Sequence, residues 1–237
     1  GEVYLKAKIA GEWTDNSSPA LDISFGLKDT DVRHNPSGIR LTGTHLTGTF
    51  STPDLASYSA YVLSLQGIRG TLGDHAIQGD LTYKNPDNPY VSCHFDGKID
   101  VGELLQFIPM DGIRNGRGLA QAEVSFEGLL GNLKQKRALS KIKTSGEFEL
   151  ESVYLEFTNL STGLRNVNGH LLFNNNDLGV RDVSGFFGRS DFLLNGYFKN
   201  VIAYLLFEEE PVGIESTLKS KRIDMDELLS LSENRSD

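Results

Sequence analysis

One cysteine, Cys93, stands in 237 residues, so no internal disulfide can brace the fold, and cysteine usage alone does not choose between a reducing and an oxidising compartment. Positive charge is also in short supply. Lys and Arg number 23 against 32 Asp and Glu, a formal net charge of −9. That balance opposes nucleic acid as a partner, because binding a phosphate backbone rests on clustered cations that displace counterions. Long hydrophobic runs are missing as well: the longest, VIAYLLF from Val201 to Phe207, is far below the roughly 20 residues that a membrane-spanning helix needs. The five histidines, His34, His45, His75, His94 and His170, show no HxH or HExxH pairing, the usual sequence signature of a zinc site. No GxSxG elbow, phosphate loop or dinucleotide fingerprint occurs. There is no basic leader stretch either; the chain opens without Met on GEVYLKAKIAG and reads as an excised piece of a longer protein.

Glycine, by contrast, is plentiful, at 25 of 237 residues where about 7% is usual. It punctuates short segments in which apolar and polar residues alternate. Val3, Leu5, Ala7 and Ile9 fall on one side of such a segment, and Glu2, Tyr4, Lys6 and Lys8 on the other. Ile77, Leu81 and Tyr83 alternate in the same way with Gln78, Asp80, Thr82 and Lys84, as do Ala120, Ala122, Val124 and Phe126 with Gln121, Glu123, Ser125 and Glu127. A period of two marks antiparallel strands with one face shielded and one wet. In GEFELESVYLEFT the pattern slips, since Phe148 and Leu150 share a face that Val153, Leu155 and Phe157 would miss; a bulge near Ser152 restores it. NNND (Asn174 to Asp177) predicts a hairpin turn, and NPDNP (Asn85 to Pro89) and NPSG (Asn35 to Gly38) predict further reversals. Helix signals are confined to two IDxxELL segments, PDLASYS from Pro53, and the VIAYLLF run.

Parts of the chain recur. LSLQGIRGTLG (Leu63 to Gly73) matches LGVRDVSGFFG (Leu178 to Gly188) at an offset of 115, and each leads into aromatic-Lys-Asn, at Tyr83-Lys84-Asn85 and Phe198-Lys199-Asn200. Further on, GKIDVGELLQF matches KRIDMDELLSL, with Asp100 and Asp224 lying 124 apart. The expected architecture is mostly β: an elongated antiparallel sheet built from two β-repeats, each ending in a short α-helix. The first repeat covers residues 1–112 with a helix near 101–108, and the second 113–237 with a helix near 225–232. The polar GIRNGRG stretch, Gly112 to Gly118, reads as a flexible link between them. One continuous sheet is expected, because each repeat alone would leave exposed strand edges.

Three constellations could carry chemistry. Asp224, Asp226 and Glu227 crowd together, but the matching motif keeps only Asp100 and Glu103 and has Gly102 where the other has Asp226. An acid three residues before Glu and ahead of Leu-Leu is a helix-capping pattern, so Asp100, Glu103, Asp224 and Glu227 are read as caps and no metal site is assigned. Cys93 beside His94 resembles a nucleophile with its base, yet neighbouring strand residues point to opposite faces. Asp29 to Asp31 lacks the glycine and distal glutamate of a calcium loop. No catalytic residue and no cofactor is assigned.

The run VNGHLLFNNNDLGVRDVSGFFGRSDFLLNGYFKNVIAYLLFEEEPVGIESTLKSKRIDMDELLS, Val167 to Ser230, resembles the AsmA-like family of large bacterial envelope proteins, in particular Bacteroidetes versions. The order of its parts carries the resemblance: a Gly-apolar strand, an Asn/Asp hairpin, L.V.D..G..G.SDF.L.G.FKN, then a polar-apolar strand into IDxDELL. The repeat extends it weakly into residues 40–107. The resemblance implies a parent protein anchored in the inner membrane with a long periplasmic body, acting in outer-membrane biogenesis and in phospholipid movement across the envelope. Relatives such as TamB, and the bridge-like lipid-transfer proteins, imply a curved, taco-like β-groove lined by apolar side chains. The residues that would line it here are Ile77, Leu81, Val91, Phe95, Val124, Phe126, Phe192, Leu194, Ile214 and Leu218. The partner implied is phospholipid. Two alternatives stay open: an apolar face closed into an ordinary core, or a scaffolding module that aids outer-membrane protein assembly through exposed strand edges.

Overall fold

A computed structural model describes residues 1–14, 18–33, 35, 38, 40–107, 110, 112–160, 162–206 and 210–226. Twelve strands form in chain order: β1 (Glu2–Ala10), β2 (Ala20–Arg33), β3 (Arg40–Thr52), β4 (Val62–Leu72), β5 (His75–Lys84), β6 (Tyr90–Asp100), β7 (Ile113–Leu129), β8 (Lys143–Phe157), β9 (Leu164–Asn174), β10 (Asp177–Phe187), β11 (Ser190–Lys199) and β12 (Gly213–Lys219). They make one open antiparallel sheet in which every strand pairs with its neighbours in sequence. Two short helices interrupt the meander, α1 (Val101–Phe107) after β6 and α2 (Val201–Leu206) after β11.

The register puts like with like. One row of directly opposed residues runs Ile77, Gly97, Ala122, Phe148, Leu171, Val180, Gly196 and Ser216 across eight strands. The next row, on the opposite face, runs Gln78, Asp96, Glu123 and Glu147. Because the side-chain period is two, this separation holds only while no strand slips by one residue. Where a strand inserts an extra residue, a bulge in the left-handed region absorbs it. Asp29, Gly43, Gly67, Ser152, Asn166 and Asp182 all have φ between 50° and 58° and sit at register shifts. Four of these bulge amides donate to a nearby side chain: Gly67 to Asp80 at 2.8 Å, Ser152 to Asn168 at 2.9 Å, Asp182 to Asn195 at 2.7 Å, and Gly43 to Asp31 at 3.3 Å. The bulge at Ser152 returns Val153 and Leu155 to the face of Phe148 and Leu150.

Two local expectations are revised. Pro53–Ser57 is not the start of an α-helix; Asp54 accepts the Ala56 amide at 3.0 Å and the Ser18 hydroxyl, and the chain continues into a single 3₁₀ turn, Tyr58–Ala60. A side chain that bonds the backbone two residues on competes with a helix there. GIRNGRG is also not a flexible link, because from Ile113 onward it is the first part of β7. Its Gly116 serves a contact: a Cβ there would lie 2.6 Å from Leu105 Cδ1 and 3.0 Å from Val101 Cγ1, so the missing side chain is the seat of α1.

The buried core is small. Val101, Ala120, Val153, Val167, Val180 and Val183 form it, with Leu105, Leu150, Leu155, Leu164, Leu171 and Phe192 packed half-buried around them. Among the described residues no leucine or phenylalanine is fully buried.

Candidate functional site

Tracing the pairings from strand to strand places all ten of the apolar residues singled out above on one face. Ile77 lies opposite Gly97, Leu81 opposite Cys93, Phe95 opposite Gly79 and Val124, and Phe126 opposite Cys93. Val91 lies opposite Tyr83 and Gly128. Phe192 pairs with Gly185, Leu194 with Val183 and Leu218, and Ile214 with Phe198. The same face continues to the other edge through Leu65, Gly48, Phe25 and Leu5. Eleven spacings of about 4.8 Å give this surface a breadth of roughly 50 Å across the strands.

Among the described residues the face stays partly accessible. The eight candidates on inner strands are partly buried, and on the outer strands Ile214 and Leu218 are 59% and 67% exposed, with Val3, Leu5 and Ile9 near two thirds. Short elements cap only the ends of the central strands. At one end, α1 sets Val101 and Leu105 on Gly116 beside Leu155. At the other, Leu133, Leu139, Ile142 and Ile202 line, with Phe126, Thr144, Asn175 and Asn176, an open and mainly apolar pocket of about 200 Å³.

The end-cap residues behave as follows. Asp100 Oδ1 accepts the amides of Gly102 at 2.7 Å and Glu103 at 3.1 Å, satisfying two of the orphan donors of α1. The Glu103 carboxylate lies over the β4–β5 turn, where a Cβ on Gly73 would be 3.1 Å from its Oε1. At the second motif the Asp224 amide donates to Ser190 Oγ at 2.9 Å, and its carboxylate meets Arg189 Nε at 3.1 Å. Glu227 and the rest of the 225–232 helix expectation lie outside the described residues beyond Asp226. Asp191 fixes the approach to this motif by accepting the amides of Lys221 and Arg222 and the Ser220 hydroxyl. These bonds, the Lys221 amide first, hold its carboxyl below the usual range.

The opposite face is a hydrogen-bonded polar ladder. Gln78 and Gln121 both donate to Asp96, Lys98 grips Glu151 at 2.7 Å, and Tyr197 donates to Asp177 at 2.6 Å, which holds that carboxyl low. A shallow depression of about 540 Å³ opens here, lined by Asp80, Ser92, His94, Ser125, Glu127 and Lys143 among others. His94 Nδ1 lies 3.0 Å from Ser125 Oγ on this face, whereas Cys93 points to the apolar one. The two therefore form no dyad, and burial pushes the Cys93 thiol up. Among the described residues no group of three or more His, Cys, Asp and Glu could hold a metal ion. Among those residues, too, no helix is long and apolar enough to cross a membrane.

The alternation of residues had already drawn the inner-strand candidates together. What it missed is the buried set Val167, Val180 and Val183, whose places beside Val153 depend on bulges. Positive-φ Asp and Asn within otherwise alternating runs were the available signal. No protein-family model, no curated protein and no solved structure matches the chain.

Proposed function

We propose that this chain is a periplasmic segment of an AsmA-like envelope protein, in which the apolar face of the sheet forms a groove that holds or conducts phospholipid acyl chains. The observation that carries the reading is the segregation of faces: twelve strands share one apolar surface that is broad, partly accessible on the inner strands and more than half exposed on the outer ones. A monomeric protein rarely leaves so large an apolar area bare unless something else covers it. Each methylene laid against it is worth about 0.8 kcal/mol, while headgroups remain at the strand ends. Ile77, Leu81, Val91, Phe95, Val124, Phe126, Phe192, Leu194, Ile214 and Leu218 line the groove, and Asp100 caps the helix α1 at its end. The reaction is transfer without covalent chemistry, and the parent chain carries the inner-membrane anchor.

The groove is built by repetition of a six-strand unit, β1–β6 and β7–β12. Supporting this, left-handed residues recur at fixed spacing: Gly67, Gly73 and Asn85 are followed 115 residues later by Asp182, Gly188 and Asn200, and Asp29 and Gly43 are followed 123 later by Ser152 and Asn166. The pairings recur with them. Phe25 opposite Gly48 corresponds to Phe148 opposite Leu171, and Leu65 opposite Leu81 to Val180 opposite Gly196.

The test is extraction and native mass spectrometry of the purified chain. Co-purifying phospholipid is expected, lost in Phe95→Asp and in Leu218→Asp with the circular dichroism unchanged, and retained in the polar-face control Glu123→Gln. A lipid-free wild-type chain would sink the reading for this segment. A scaffolding role in outer-membrane protein assembly is the second reading, favoured by the wholly exposed edge strands β1 and β12; capture of an outer-membrane strand peptide by a lipid-free chain would support it.

A further inference from the structure

Between β7 and β8 the chain caps one end of the apolar face. Phe126 lies opposite Thr144 on that face, and a Cβ on the neighbouring Gly128 would lie 3.2 Å from Ile142 Cγ1. Two depressions meet there. The mainly apolar pocket of about 200 Å³ is lined by the strand residues Phe126 and Thr144 and by Leu133, Leu139, Ile142 and Ile202. Beside it, sharing Leu139, Asn175 and Asn176, a polar basin of about 470 Å³ is lined by Ser140, Asn174 and Asn200. The amides of this basin are held in place: Asn176 accepts the Ala203 amide of α2 at 2.9 Å, Asn175 accepts the Thr144 amide at 3.2 Å, and Asn200 donates to the Pro211 carbonyl at 2.9 Å. Asp177 also lines the basin, with one oxygen taken by Tyr197 Oη at 2.6 Å and the other by the Asn200 amide at 2.9 Å.

The same segment brings positive charge to this end. From Gly128 to Gly146 there are five cations, Lys134, Lys136, Arg137, Lys141 and Lys143, and no Asp or Glu, in a chain whose net charge is −9. Lys143 pairs with Glu127 at 3.4 Å. Arg137 and Lys141, on either side of Leu139, are exposed, and among the described residues no ion pair engages either of them. At the α1 end, by contrast, Arg114 meets Glu156 at 3.4 Å, Arg189 meets Asp224 at 3.1 Å, and Arg40 pairs with Asp31. We infer that the β7–β8 end of the apolar face holds the headgroup of a phospholipid of net negative charge, with its phosphate beside Arg137 and Lys141 and its first methylenes in the pocket, so that the acyl chains run from there towards α1. The inference deepens the acyl-chain reading and rests on it. The pocket is smaller than the roughly 300–1,000 Å³ that encloses a whole small ligand, so it takes one end of a molecule whose remainder lies on the apolar face to which Phe126 belongs. Hydroxyl and amide groups suit the oxygens of a phosphodiester, and guanidinium and ammonium groups add charge-assisted bonds to them.

The test loads the full chain from vesicles of equimolar dioleoyl-phosphatidylglycerol and dioleoyl-phosphatidylcholine, which share their chains and differ in net charge. Mass spectrometry then counts each lipid on the re-isolated protein. A several-fold preference for phosphatidylglycerol is expected at low salt, falling towards parity as added salt screens the cations. Arg137→Gln combined with Lys141→Gln should bring the ratio to parity with total lipid unchanged, whereas Arg137→Lys combined with Lys141→Arg should keep the preference. Arg114→Gln, at the α1 end, should leave it intact. Equal uptake by the wild type, a preference that survives the double Gln variant, or one that Arg114→Gln abolishes overturns the inference. So does a preference erased by inorganic phosphate but not by sodium chloride at matched ionic strength, which would mark a site for free phosphate. Uptake of both lipids without preference leaves the acyl-chain reading standing, and uptake of neither overturns both.

Discussion

Two truncations on the same face report directly on how open it is. Val167 is 4% exposed, opposite Val153 and against the strand that carries Gly185, where a Cβ would lie 3.1 Å from Val167 Cγ2. Val167→Ala forfeits about 0.8 kcal/mol for each of two carbons, and the cavity left in a site that cannot collapse adds roughly one more, for a total of about 2–3 kcal/mol. Leu218 loses more carbon on truncation, yet it is 67% exposed. With only a third of its surface shielded, a full-burial value of about 1.5–3 kcal/mol shrinks to about 0.5–1 kcal/mol for Leu218→Ala. The larger deletion should therefore cost about a third as much as the smaller one. Urea denaturation of dilute protein, followed by far-ultraviolet circular dichroism, measures both as midpoint shifts at unchanged slope. If Leu218→Ala costs as much as Val167→Ala in a monomeric sample, the outer strands are covered and the open-face reasoning is wrong.

Two further outcomes follow from the local geometry. Asp100→Ala removes the acceptor for the Gly102 and Glu103 amides and should cost about 1 kcal/mol, with faster amide exchange confined to α1; exchange unchanged there would mean that Leu105 on Gly116 holds the helix without its cap. Asp31, Asp54, Glu156, Asp177 and Asp191 all have carboxyl groups held below their usual range, mainly by hydrogen bonds from Arg40, Ser18, Tyr154, Tyr197 and the Lys221 amide respectively. Their unfolded forms bind protons first as pH falls, so the stability they contribute is complete above the ordinary carboxylate range, near pH 4, and is lost as pH drops through the lowered folded values. Thermal melts should decline below about pH 4, and Asp191→Asn should flatten part of that slope; an identical slope in the variant would remove Asp191 from the account.

Alternation made much of this fold legible. A period of two over Val3–Ile9, Ile77–Tyr83 and Ala120–Phe126 marks strands and also names their apolar side, because a strand has only two faces. The bulge at Ser152 was readable for the same reason, since an apolar pattern that changes phase within one strand needs an extra residue. NNND and the first IDxxELL motif gave a turn and a helix start through side chains that bond nearby amides, and such bonds act over a few residues. PDLASYS and GIRNGRG misled because their outcome lies in distant partners: Ser18 reaches Asp54 from 36 positions away, and Gly116 is bare so that Leu105 can settle on it.

The sequence by itself therefore determined the strands, their shielded side, the recurrence of segments and the cap at Asp100, all of which are short-range matters of sterics and hydrogen bonding. Tertiary structure alone decided that the strands pair in order as one open sheet, that among the described residues the enclosed apolar side chains are valines, alanines and Ile142, with no leucine or phenylalanine, and that the broad apolar face stays partly bare. The reason is physical. A leucine on a strand has the same pattern of neighbours in sequence whether a second layer covers it or water does, and only the position of the rest of the chain distinguishes the two.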